Sequence, residues 1–115
     1  GARVVKLIGD EVMFVATEAP AACHAAHALI EAFAADLGDV VPRGGLAYGN
    51  VVLRGGDYYG PVVNLASRLV DQAVPLEVLA TREVAEAAPS CDFEPSGRRM
   101  VKGFDEPISV VSLRR

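Results

Sequence analysis

Val4-Val5-Lys6-Leu7-Ile8-Gly9-Asp10-Glu11-Val12-Met13-Phe14-Val15 is two short apolar runs, rich in β-branched residues, around a Gly9-Asp10 pair. That pattern is a β-hairpin signal. Two of its residues need an explanation. An ammonium group inside a hydrophobic strand is costly unless it snorkels or finds a partner. A tight turn accepts Asn or Gly as readily as Asp. A snorkelling Lys6 and an ordinary turn Asp10 account for the stretch taken alone, so the remainder of the chain has to decide.

The 115 residues fit one domain with its own core. Hydrophobic residues make up 51% and charged ones 23%, the balance of a folded globular chain. Tryptophan is absent, so Ala, Val and Leu must build the core. A net charge of −4 without a basic cluster argues against nucleic-acid binding. An acidic chain still binds a polyphosphate when metal ions carry the positive charge. Cys23 and Cys91 match no metal or redox spacing. Cys23 lies in an apolar helical pattern, so a buried reduced thiol and a reducing, cytoplasmic compartment are expected. No apolar run reaches the ~18–20 residues of a membrane span, and no signal-peptide pattern is present.

Thr17-Glu18-Ala19-Pro20 carries the marks of a helix start. Ala22, Ala26, Leu29, Ile30, Phe33 and Leu37 then fall on one helical face, with Gly38 as the stop. His24 and His27 lie three apart on this helix. The spacing can hold a metal, but no further ligand is patterned nearby, and solvent-facing histidines are the simpler reading. Residues 43–49 and 50–54 read as strand segments, Gly55 to Gly60 as a loop, and Pro61 to about Ala73 as a helix with core face Val62, Leu65, Ala66, Leu69 and Ala73. A strand at 76–80, a short helix at 81–87, a polar loop from Pro89 to Gly97, and closing strands at 99–103 and 108–113 complete the chain. The order predicts an α+β, ferredoxin-like sandwich, a mostly antiparallel sheet with helices on one face.

Asn64 and Arg68 lie four apart on one face of the helix opened by Pro61, offset from its apolar stripe. An amide and a permanently charged planar guanidinium together suit a ribose or phosphate, although a solvated helix face presents the same residues. Asp57 precedes them in a Gly-flanked loop.

These pieces resemble class III nucleotide cyclase catalytic domains, bacterial and in particular actinobacterial ones. Val5-Lys6-Leu7-Ile8-Gly9-Asp10-Glu11-Val12-Met13 looks like that family's metal-binding hairpin. Gly45-Leu46-Ala47-Tyr48-Gly49-Asn50-Val51-Val52 resembles its strand after the dimerisation-side helix. Asp57-Tyr58-Tyr59-Gly60-Pro61-Val62-Val63-Asn64-Leu65-Ala66-Ser67-Arg68-Leu69 matches its signature of Asp, two residues, Gly, two residues, then Val-Asn, Ala and Arg. Val101-Lys102-Gly103-Phe104 with Glu106-Pro107 resembles its closing strands. The resemblance implies conversion of ATP to cyclic AMP and pyrophosphate with two Mg2+ or Mn2+ ions per site. Asp10 would hold metal, Lys6 and Asp57 would read the purine, Asn64 would place the ribose, Arg68 would stabilise the α-phosphate, and Lys102 would touch the triphosphate. It further implies a homodimer with shared sites, metal ligands on one protomer and base, ribose and transition-state residues on the other.

One departure stands out. The family's first metal aspartate lies upstream of this hairpin, beyond residue 1, and Asp36, Asp39 and Asp71 stand elsewhere in the order. Residues 1–115 are therefore expected to be the C-terminal two-thirds of the domain, weakly active or inactive alone. A non-catalytic module that binds nucleotide or dimerises is the alternative. Gly55-Gly56-Asp57 also suggests a diguanylate cyclase, but that family sets its Gly-Gly-Asp on the metal hairpin, whereas Asp57 precedes a helix.

Overall fold

The computed structural model describes residues 1–36 and 41–114. The opening stretch is a hairpin of β1 (Ala2–Ile8) and β2 (Glu11–Ala16), with Gly9 at φ 57° in its turn. Helix α1 (Ala19–Asp36) follows; the Leu37 end of its apolar face and the Gly38 stop lie outside the described residues. Its buried line is Ala19, Cys23, Ala26 and Ile30, while Ala22, Leu29 and Phe33 flank it half-buried. His24 faces solvent, and His27 Nε2 lies 3.3 Å from Glu31 Oε1, one turn on.

The central sheet has four strands, β3 (Gly44–Leu46), β6 (Val78–Thr81), β8 (Ile108–Leu113) and β7 (Phe93–Arg99), in the order β3-β6-β8-β7. Strand β6 runs parallel to β3 and antiparallel to β8, and β8 is antiparallel to β7. Lying between two partners, β6 is buried along its whole length, hence its continuous Val-Leu-Ala run. The α+β class and mostly antiparallel pairing are as expected. The helices, however, do not all share one face of this sheet. Val78, Ala80 and Leu46 pack with α1 and with Val84 of α3 (Arg82–Ala87), whereas Leu79 and Val110 pack with Leu69 of α2 (Pro61–Gln72) and with Ala73 just past its end. The alternation of β6 enforces this, because successive side chains leave opposite faces.

Two segments read as loops are strands. The polar stretch before Gly97 forms much of β7, with Phe93 opposite Leu113. Pro95 is tolerated because β7 is an edge and a bulge separates Pro95 from Arg98. Residues 57–59 form β5 (Asp57–Tyr59), paired with β4 (Val52–Arg54) across Gly55-Gly56. Both glycines have positive φ, 60° and 80°, the requirement of a tight two-residue hairpin turn.

Cys23 and Cys91 are free thiols brought together in the α1 core, Cys23 fully buried and Cys91 half-exposed. Burial, and secondarily the adjoining Cys91 thiol, pushes Cys23 up to about 12. Iodoacetamide at pH 8 is therefore expected to label Cys91 in the native chain and to reach Cys23 only after unfolding, as peptide mass mapping would read. Equal labelling rates would contradict the packing of α1.

Candidate nucleotide site

The site is built where the two hairpins meet the start of α2. Strand β1 is not regular. Val4 pairs with Phe14 but Lys6 pairs with Met13, so Val5 is an extra, bulged residue. Strict alternation sends Arg3 and Lys6 to opposite faces; the bulge returns both to the face of Met13 and Val15. The other face carries Phe14 onto the α1 core.

Strand β5 offers Asp57 to this cationic face. Asp57 Oδ2 accepts a hydrogen bond from Lys6 Nζ at 2.6 Å, and Oδ1 accepts one from the Tyr58 backbone N–H at 2.8 Å. The pair is only partly shielded, with 38% of the Lys6 and 24% of the Asp57 side chain exposed. The Lys6 hydrogen bond, with help from the Tyr58 N–H, holds the Asp57 carboxyl below the usual carboxylate range. Asp57 thus stays an acceptor throughout the neutral range.

Beyond β5, Gly60 at φ 136° turns the chain and Pro61 opens α2, where its missing N–H costs nothing. Asn64 and Arg68 lie on the exposed side of this helix, clear of Leu69. Arg68 Nη1 is 3.9 Å from Asp71 Oδ2, a loose contact on an exposed guanidinium. The helix is set against the sheet by Gly45. A Cβ there would fall 2.4 Å from Ala66 O and 2.9 Å from Val70 N, so backbone meets backbone at this crossing.

Of the six residues singled out in the sequence, the structure brings Lys6 and Asp57 into direct contact. Asn64 and Arg68 share the helix that follows Asp57. Asp10 is exposed in the first hairpin's turn, and Lys102 is exposed in the turn between β7 and β8; among the described residues neither is hydrogen-bonded or ion-paired to Lys6 or Asp57. Sequence reasoning missed Arg3, whose Nη2 donates to Tyr58 Oη at 2.7 Å. The only trace it leaves in the sequence is a second cation on the strand of Lys6, which strict alternation would place on the opposite face. Cyclase domains generally use Mg2+ or Mn2+. Among the described residues no three of His, Cys, Asp and Glu gather at one point. A two-cation centre therefore does not fit these residues by themselves: Asp10 offers one hard oxygen ligand.

The fold is that of nucleotide cyclases. The whole chain superposes on 73% of the adenylate/guanylate cyclase/hydrolase from Silicibacter pomeroyi with a TM-score of 0.82 at 27% identity. The catalytic core of a rhodopsin-guanylyl cyclase with converted specificity, in complex with ATPalphaS, matches 98% of the chain over 71% of its own, with a TM-score of 0.82 at 21% identity. No protein-family model matches. Among sequences, the adenylate cyclase of Streptomyces coelicolor is 36% identical over 126 residues, 99% of this chain and 32% of that protein. The uncharacterised protein Rv2212 of Mycobacterium tuberculosis is 39% identical over 113 residues, 98% of this chain and 30% of that protein. The chain thus spans about a third of the length of these relatives. Fold and sequence agree: the chain has the fold of class III adenylate/guanylate cyclase domains and is similar in sequence to proteins named adenylate cyclase, consistent with a cyclase catalytic domain.

Proposed function

We propose that the protein acts as an adenylate cyclase, converting ATP to 3′,5′-cyclic AMP and pyrophosphate. The carrying observation is the 2.6 Å approach of Lys6 Nζ to Asp57 Oδ2 across 51 residues of sequence. A donor beside an acceptor complements the adenine edge, where N1 accepts and the exocyclic N6 donates. Guanine, with O6 accepting and N1 donating, meets the wrong partner at both positions. Asn64 orients the ribose. Arg68 donates to the α-phosphate oxygens as the 3′-hydroxyl oxygen attacks phosphorus in line, the P–O bond to pyrophosphate breaks and the hydroxyl proton is released. Lys102 contacts the triphosphate. Asp10 would offer one carboxylate to a Mg2+ or Mn2+ ion, too few ligands for tight binding, so slow turnover is expected of these residues alone.

The reading includes a homodimer in which Asp10 serves one site and Lys6, Asp57, Asn64 and Arg68 serve the other. Exposed apolar side chains favour a covered face: Leu7 is 73% exposed near the first hairpin's turn and Leu53 59% exposed on the second. The test is incubation with ATP and Mn2+ and quantification of cyclic AMP. Arg68→Ala is expected to lower turnover by about 10²- to 10³-fold. Mixing equal amounts of Asp10→Ala and Arg68→Ala chains should restore roughly a quarter of the unsubstituted activity, since half of randomly paired dimers hold one intact site of two. No recovery would rule out shared sites. A second reading, a nucleotide-binding or dimerisation module, is favoured by a first hairpin whose carboxylates are limited to Asp10 and the adjacent Glu11; tight ATP binding with no cyclic AMP would select it.

A further inference from the structure

We propose that Arg3 and Tyr58 are positioning residues for the base-reading pair, a clamp that keeps Asp57 in place when Lys6 turns toward a purine. This inference rests on the nucleotide reading above. Among the described residues, the hairpins β1–β2 and β4–β5 share no strand pairing. Two side-chain bonds join them: Lys6 Nζ to Asp57 Oδ2 at 2.6 Å and Arg3 Nη2 to Tyr58 Oη at 2.7 Å. Lys6 is also the residue assigned to adenine N1. Aiming its ammonium at a ring nitrogen weakens its hold on Asp57, and the Arg3–Tyr58 bond is then the remaining polar link between the hairpins.

The clamp acts on the right residue. Tyr58 is the residue whose backbone N–H orients the Asp57 carboxylate, through the 2.8 Å bond to Oδ1. Holding the Tyr58 ring therefore holds the peptide that aims Asp57. Arg3 grips the ring twice, by its bond to the hydroxyl and by placing its guanidinium carbon 5.9 Å from the ring centroid, within cation–π reach. No carboxylate among the described residues pairs with Arg3, so a permanent cation is committed to a neutral phenol. The bulge at Val5 makes this possible, because it alone puts Arg3 and Lys6 on one face to engage consecutive residues of β5.

The test is equilibrium binding of N-methylanthraniloyl derivatives of ATP and GTP to the full chain with Mn2+, followed by fluorescence. Tyr58→Phe removes the hydroxyl and keeps the ring; Arg3→Met removes the charge and keeps the stem. Each is expected to weaken ATP binding about 3- to 10-fold while GTP binding stays unchanged, narrowing the ATP:GTP ratio by that factor. Arg3→Lys, which keeps a donor, should recover most of the loss. Melting temperatures measured alongside should barely move. A clamp of merely structural value would instead lower both affinities equally or lower the melting temperature, and either result, like an unchanged ratio, overturns the proposal. Lys6→Glu with Asp57→Cys serves as the companion arm. If that variant shifts the ratio and Tyr58→Phe does not, the clamp alone falls. If it leaves the ratio unchanged, or if the unsubstituted chain binds neither nucleotide, the base-reading assignment falls and takes the clamp with it.

Discussion

Replacing Lys6 with Glu and Asp57 with Cys together is expected to lower the preference for ATP over GTP by at least about 10²-fold, read as the ratio of kcat/KM values for the two nucleotides. The size follows from what a mismatched base leaves behind. A site built around hydrogen bonds to one base rejects another by up to ~10⁴-fold, because buried donors and acceptors go unpaired. A carboxylate at position 6 would accept from guanine N1–H, and a thiol at position 57 is a weak donor for O6. Both changes are needed, since either alone leaves one partner mismatched for each base. The substitution also removes the ion pair that joins β1 to β5, so melting must be followed in parallel. An unchanged ratio would end the base-reading assignment. Fold offers no shortcut to this question, because solved neighbours of similar architecture include a guanylate cyclase domain in complex with GTP and one of converted specificity in complex with ATPalphaS.

Gly45→Ala is expected to be the most destabilising single methyl addition in the sheet. The new Cβ would sit 2.4 Å from Ala66 O and 2.9 Å from Val70 N, both backbone atoms of α2. A side-chain tip can rotate away; a helix backbone can only move as a whole. Overpacking of this kind costs about 1–3 kcal/mol, and a backbone clash puts Gly45 at the upper end. At roughly 4–5 °C per kcal/mol for a domain of this size, the midpoint should fall by about 10–15 °C. A functional consequence follows, because α2 carries Asn64 and Arg68: any residual turnover should fall further than the loss of folded protein explains. Gly55→Ala is a useful contrast. Nothing lies within 4 Å of a Cβ there, so only its left-handed backbone, φ 60°, is penalised. A Gly45→Ala midpoint within 3 °C of the unsubstituted chain, an order-of-magnitude threshold, would mean that α2 and β3 are less closely apposed.

Much of the fold is legible in the sequence. The first hairpin was readable because its β-branched runs and Gly9-Asp10 turn are local signals, and α2 because its apolar positions recur at helical spacing behind Pro61. Strands β5 and β7 were hidden for opposite reasons. Gly55 to Gly60 holds too many glycines to look like a strand, although two of them are what a tight turn requires. The stretch through Pro95 and Gly97 forms a strand because β8 offers it an edge, a partner that lies beyond any local window.

By itself, the sequence determined which chemical groups are present and roughly where along the chain. Asp10, Asp57, Asn64, Arg68 and the lysine in the first strand stand out through residue type and fixed spacing, which are properties of neighbours in the chain. The tertiary structure alone decided which of them meet. Lys6 and Asp57 are 51 residues apart, and their 2.6 Å contact depends on two hairpins that share no strand pairing. It decided as well that Arg3 belongs on the side of Lys6, since one bulged residue reverses every side chain beyond it. Bulges are made by packing against a partner, and no run of Val4-Val5-Lys6 announces one.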